Sequence, residues 1–269
     1  MRKIKQNLVN VFFLIAIMIC ITPYNAQAEL KRQNVVYRHG NIVLEGYLVY
    51  DNSGPMKRPG VLVVHEWKGI NSHVKGSADK LAQLGYVAFA IDMYGKGIRP
   101  KTDEEAKKIV SVFKNDRLLM RERVKAGLME LKRHPWVDAE NIAAIGYCFG
   151  GSAVLELARS GADVRGVVSF HGGLNTPHPA DANNIKAKIL VLHGAQDPYV
   201  PETDVKLFET EMKNAHVYYK LIKYPGVVHS FTNPASGNDP KKGIAYDKKA
   251  AQESWEEMKI FLEQIFTEK

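Results

Sequence analysis

The sequence predicts an α/β protein: a mostly parallel central sheet flanked by helices, with an antiparallel hairpin at its N-terminal side. Three observations carry this reading. From Val61 onward, apolar runs of strand length alternate with helix-length amphipathic stretches. The first of these runs, Val61-Leu62-Val63-Val64, is continuous rather than alternating, as expected of a parallel strand covered on both faces. Between Ala143 and Ala153 the chain passes from a buried strand through a sharp turn into a helix, with Gly146 and Gly150 on either side of Cys148.

Residues 1–28 are read as a leader outside the fold. Arg2, Lys3 and Lys5 precede an apolar run over 9–21, and Ala26-Gln27-Ala28 has the small-x-small form of a signal-peptidase site. The run is short for a membrane span, which needs about 20 residues. Cleavage after Ala28 is expected, leaving residues 29–269 as one exported domain, periplasmic or secreted from a bacterial-type cell. An uncleaved anchor is the alternative. Lipidation at Cys20 is disfavoured by the bulk of Ile19.

The hairpin is expected over 34–38 and 42–50, rich in Val, Ile and Tyr, with a turn at Arg38-His39-Gly40-Asn41. Residues 51–59 form a loop, and 61–64 the first buried strand. His65 to Asn71 is a polar loop at that strand's carboxyl end. A helix over 74–84, a strand over 86–91 and a loop over 92–97 follow. Thr102 caps a helix over 103–113 whose first turn is acidic, and a second helix over 116–133 stops before Pro135. Further strands are expected over 141–145, 165–170, 188–192 and 217–222. The remaining helices cover 150–159, 202–213 and 246–266, the last with Trp255, Met258, Phe261, Leu262 and Ile265 toward the core. No repeat, linker or low-complexity tract divides the chain.

Composition narrows the function classes. The chain has 37 Lys and Arg against 29 Asp and Glu, and the leader holds three of the basic residues, which leaves a formal charge of +5 on the remainder. Without a dense basic block interleaved with aromatics, that mild excess gives no case for nucleic-acid binding. With Cys20 in the leader, the exported domain keeps one thiol, Cys148, which has no disulfide partner and must be buried or used.

The glycine pattern favours use. In Gly-x-nucleophile-x-Gly the turn strains the backbone at the nucleophile, and the glycines remove Cβ atoms where strand and helix crowd. The Phe149 amide at the helix start then faces whatever the sulfur attacks. A packed, inert thiol is the alternative. A thiol nucleophile needs a base and a group to orient that base. In the α/β-hydrolase order the acid follows the nucleophile and the histidine comes last. Asp197, just after the strand ending at Leu192, and His229, between the last strand and the last helix, fit that order. His65 and His171 stand at strand ends, where they can line a pocket, and His193 is expected to fix the Asp197 loop. No close Cys/His spacing suggests a metal, and no cofactor is required.

Gly146-Tyr147-Cys148-Phe149-Gly150-Gly151, His193-Gly194-x-x-Asp197-x-x-Val200-Pro201 and His229-Ser230-Phe231 together resemble the dienelactone hydrolase family, α/β-hydrolases with a cysteine nucleophile, from about Asn34 to the C-terminus. The resemblance implies that Glu66 contacts the resting thiol and helps it ionise. It makes the Trp67 amide a second oxyanion donor beside that of Phe149. Tyr94, Lys96 and Phe231 fall at positions implied to contact substrate. Members specialised for dienelactones are similar in carrying arginines that hold the substrate carboxylate, where this chain has Lys96 and Asn233. Asparagine cannot make the charged fork of an arginine.

The expected function is hydrolysis of small carboxylic esters or lactones through Cys148, Asp197 and His229. The expected partner is a small-molecule substrate, with no nucleic acid, no stable membrane insertion after cleavage, and a monomeric chain. Thioesterase or other acyl-hydrolase activity, and an inactive binding or thiol-sensing module, are the alternatives.

Overall fold

A computed structural model of the chain describes residues 29–268, so the leader reading lies outside the described residues. Eight strands form one sheet: β1 (Leu30–His39), β2 (Ile42–Asp51), β3 (Arg58–Val64), β4 (Val87–Ile91), β5 (Val137–Tyr147), β6 (Gly166–Phe170), β7 (Lys188–Gly194) and β8 (Tyr219–Tyr224). Their spatial order is β1-β2-β4-β3-β5-β6-β7-β8, with β1 and β2 antiparallel to their neighbours and the other six parallel. Six α-helices flank it, besides three short 3-10 turns: α1 (Ser72–Gln83), α2 (Asp103–Asn115), α3 (Arg117–Arg133), α4 (Phe149–Arg159), α5 (Glu202–Asn214) and α6 (Lys248–Thr267).

Strand alternation sorts the core into two layers, because successive side chains leave opposite faces of a strand. Leu62 and Val64 of β3 and Ala144 of β5 pack with apolar residues of α2, α3, α4 and α5. Val61 and Val63 of β3, with Ala143, Ile145 and Tyr147 of β5, pack instead with α1 and α6. A sheet buried on both faces accounts for the unbroken apolar run that marks β3.

The elements agree with the sequence reading in type and order, and differ at their ends for physical reasons. The last strand begins at Tyr219, not at 217, because the Val217 amide still donates to Met212 O and closes α5. β5 starts at Val137, four residues early, since Val137 and Asp138 pair with Arg58 and Pro59 before the register shifts at Gly60. α6 starts after Asp247, whose carboxylate caps it by accepting from the Ala250 amide at 2.8 Å. No helix among the described residues is long and apolar enough to cross a membrane.

What positions the site is the carboxyl edge of the parallel strands, where the loops after β3, β5, β6, β7 and β8 converge. α4, which leaves the elbow, is anchored at its far end by a buried ion network. Arg159 donates to Glu211 at 2.7 and 2.8 Å and to Glu156 at 3.1 Å, and Arg121 ties Glu156 to Asp181. The helix that follows Cys148 is thus fixed at both ends.

Candidate active site

Cys148 lies between β5 and α4 with φ 54° and ψ −116°, a conformation L-residues avoid. The flanking glycines are what permit it. A Cβ on Gly146 would overlap the Gly150 carbonyl, and one on Gly150 would overlap the carbonyl of Val64 on β3. The Cys148 amide donates to Phe170 O at 3.0 Å, which pins the turn to β6.

Two further loops bring a histidine and an aspartate to the sulfur. His229 Nε2 lies 3.1 Å from Cys148 Sγ, and its Nδ1–H donates to Asp197 Oδ2 at 2.7 Å. The other Asp197 oxygen accepts from the Tyr199 amide at 2.8 Å, so the carboxylate is fixed on both sides. Burial opposes charge on His229, but the sulfur and then Asp197 outweigh it and raise the imidazole to about 10. Such a value describes an imidazole that keeps its second proton at neutral pH. By ¹⁵N NMR, His229 is expected to stay protonated through neutral pH and titrate near 10. In Cys148→Ala its pKa is expected to fall, because Asp197 alone then opposes burial. An imidazole titrating at its ordinary value in both proteins would contradict the pairing.

The loop after β3 presents the second amide. His65 is wholly buried, accepts from the Met93 amide through Nε2 at 3.2 Å, and so carries its proton on Nδ1, which donates to Glu66 O at 2.5 Å. Burial holds this ring neutral by lowering it to about 4. The Gly69 amide also donates to Glu66 O, at 3.2 Å. With its carbonyl held twice, the Glu66–Trp67 peptide is locked in orientation, and its N–H is the one that the family resemblance implies as an oxyanion donor. Tyr94 Oη donates to Trp67 O at 2.8 Å and steadies the next peptide.

The remaining site residues fall differently from expectation. Both Glu66 oxygens are engaged by other side chains: Oε1 accepts from Ser230 Oγ at 2.9 Å and Oε2 from Asn233 Nδ2 at 2.6 Å. Burial works against this carboxylate, yet His73, 3.6 Å away, and the Ser230 hydroxyl hold it near 2. Tyr94 faces the Trp67 loop rather than open solvent, its ring against His65 and Phe149. Lys96, expected to offer a charge to substrate, pairs with Glu45 on β2 at 2.9 Å. Phe231 is fully buried against His171 and Tyr224 and belongs to the core, not to a substrate wall.

His193 makes no hydrogen bond through Nδ1. The Asp197 loop is held instead by backbone bonds from Ala195 to Tyr224 and from Gln196 to Val227. Sequence reasoning missed Ser230, Thr232 and His73 as members of the site, and gave Asn233 no partner. His73 and Thr232 carry no motif of their own. Only the hydroxyl at Ser230, next to the assigned base, offered a signal. Among the described residues, no group of three or more His, Cys, Asp or Glu side chains is disposed to hold a metal ion.

A parallel sheet with a strained Gly-x-Cys-x-Gly turn at its carboxyl edge, an aspartate after β7 and a histidine after β8 has the architecture of the α/β-hydrolase fold. Residues 44–266 match the model of the dienelactone hydrolase family, and the chain belongs to that family. Among solved structures, it is similar to a dienelactone hydrolase-like promiscuous phosphotriesterase from metagenomic libraries. That match has 36% identity and a TM-score of 0.84, and covers 88% of this chain and 99% of the other. It is 28% identical to "Protein usf" of Aquifex pyrophilus, over 87% of this chain and 99% of the relative. It is 26% identical to a Synechocystis protein named "Putative carboxymethylenebutenolidase", over 86% and 96% of the two chains.

Proposed function

We propose that the chain is an exported hydrolase of small carboxylic esters or lactones, with Cys148 as nucleophile, His229 as acid and base, and Asp197 as the group that orients it. The single observation carrying this is the chain of contacts from Sγ through His229 to Asp197, 3.1 and 2.7 Å long, at a strained elbow. The thiolate attacks the carbonyl carbon, and the carbonyl electron pair moves to oxygen, where the amides of Trp67 and Phe149 receive it. As the tetrahedral species collapses, the C–O bond breaks and His229 Nε2–H protonates the departing alkoxide. Neutral His229 then takes a proton from water, whose oxygen attacks the thioester. Release of the acid restores thiolate and imidazolium. Export rests on the leader alone.

Glu66 acts in this reading as a fixed anion tying the Trp67 loop to the His229 loop. Asn233 is a neutral partner, and Lys96 is engaged with Glu45, so the carboxylate grip expected for a dienelactone is missing from these two positions. Uncharged small esters and lactones are the favoured substrates.

Turnover of a short aryl ester and an unsaturated five-membered lactone tests this, beside an acyl thioester and, prompted by the phosphotriesterase relative, an aryl phosphotriester. The ester or lactone is expected to be fastest. A thioester favoured over both, or no turnover with Cys148 reduced and the protein folded, would contradict it; the latter would favour a binding or thiol-sensing module. Tyr94→Phe frees Trp67 O and is expected to lower kcat roughly 5- to 10-fold with little change in KM, about the worth of one hydrogen bond. Steady-state kinetics on the best ester reads this directly.

A further inference from the structure

We propose that His171 and Thr232 form a positioning bridge that sets the separation of the Cys148 elbow and the His229 loop. His171 directly follows β6 and is fully buried. Its Nδ1 accepts from the Cys148 amide at 3.1 Å, a donor shared with Phe170 O. Since a backbone amide only donates, the ring proton sits on Nε2, which donates to Thr232 Oγ1 at 2.8 Å. Both nitrogens are therefore used, one on the nucleophile's own peptide and the other on the third residue after His229. The ring also stands edge to face with His229, centroids 5.3 Å apart.

Backbone strain marks the same three places. Of the five non-glycine residues with positive φ among those described, Cys148 (54°), His171 (40°) and Ser230 (60°) all lie here. Strain of this kind persists only where surrounding contacts over-determine it. Burial, and the charge on His229, hold His171 neutral, so it adds no second cation beside the imidazolium. His171 touches no reacting atom. It acts through the Sγ to Nε2 separation.

The test compares Thr232→Val, which removes the acceptor, with Thr232→Ser, which keeps it, in the full chain. Two readouts are used: kcat and KM on the best ester, and the rate of iodoacetamide alkylation at pH 7 followed on the Cys148 peptide by mass spectrometry. Thr232→Val is expected to lower kcat about 10-fold with KM within about twofold, and to slow alkylation at least about threefold, as for a lost buried hydrogen bond. Thr232→Ser is expected to restore both. His171→Phe with Thr232→Val should be no worse than His171→Phe alone, because the two act as one unit. Wild-type alkylation in Thr232→Val, equal impairment of the Ser and Val variants, or multiplicative losses in the double variant would overturn the bridge. The kinetic arm rests on the proposed hydrolase reading, whereas alkylation needs no substrate, so failure of one is distinguishable from failure of the other. Should His171→Phe not fold, the Thr232 pair decides.

Discussion

Cys148→Ala is expected to reduce turnover of every ester or lactone the chain accepts by about 10⁴-fold or more, since removing the nucleophile of such a unit leaves only the oxyanion donors and substrate binding. The fold should survive, because Cys148 is a free thiol among the described residues and alanine keeps the elbow's Cβ. KM, or substrate binding measured directly, should change little. Steady-state kinetics together with a thermal melt checks this. A variant that melts normally yet keeps more than about a tenth of the activity would remove Cys148 from the mechanism. The same variant probes the electrostatics, since His229 owes part of its retained proton to the sulfur.

Gly146→Ala carries the largest expected effect on stability. Its new Cβ would meet the carbonyl of Gly150, a backbone atom that cannot rotate aside, so β5 and α4 must move apart. Overpacking against backbone is expected to cost about 3 kcal/mol or more, which for a domain of this size lowers Tm by roughly 6–12 °C. Gly76 on α1 supplies the contrast, because a Cβ there would meet nothing within 4 Å. Gly76→Ala should be neutral or mildly stabilising. Equal melting of the two variants would show that the elbow does not depend on the close approach of strand and helix.

The contrast between these glycines also indicates what a sequence discloses. Gly146 and Gly150 were legible because their spacing around Cys148 is imposed by local crowding, and the order of Asp197 and His229 followed from a strand-end topology that apolar runs reveal. Strand ends were less legible. Whether Val217 belongs to β8 or to the close of α5 depends on one backbone hydrogen bond that residue type does not encode. Inside the site, side-chain direction was the obscure part. Phe231 follows the assigned base by two residues and on spacing alone could face a substrate, but it turns inward beneath His171. Lys96 was read as a free charge, and Glu45, with which it pairs, lies 51 positions earlier on the hairpin. Glu66 was placed in the right loop, yet its hydrogen-bond partners sit 164 and 167 positions away and could not be chosen from composition or period. The bridge through His171 is hidden for the same reason, since only the folded chain sets Thr232 against it.

The most direct test of covalent catalysis at Cys148 is to quench turnover of a slowly deacylating ester with acid and map the modification by mass spectrometry. One acyl group on the Cys148 peptide, formed at the rate of the first turnover, is the predicted result. Turnover with no acyl adduct on Cys148, or an adduct carried by another residue, would contradict the nucleophile assignment.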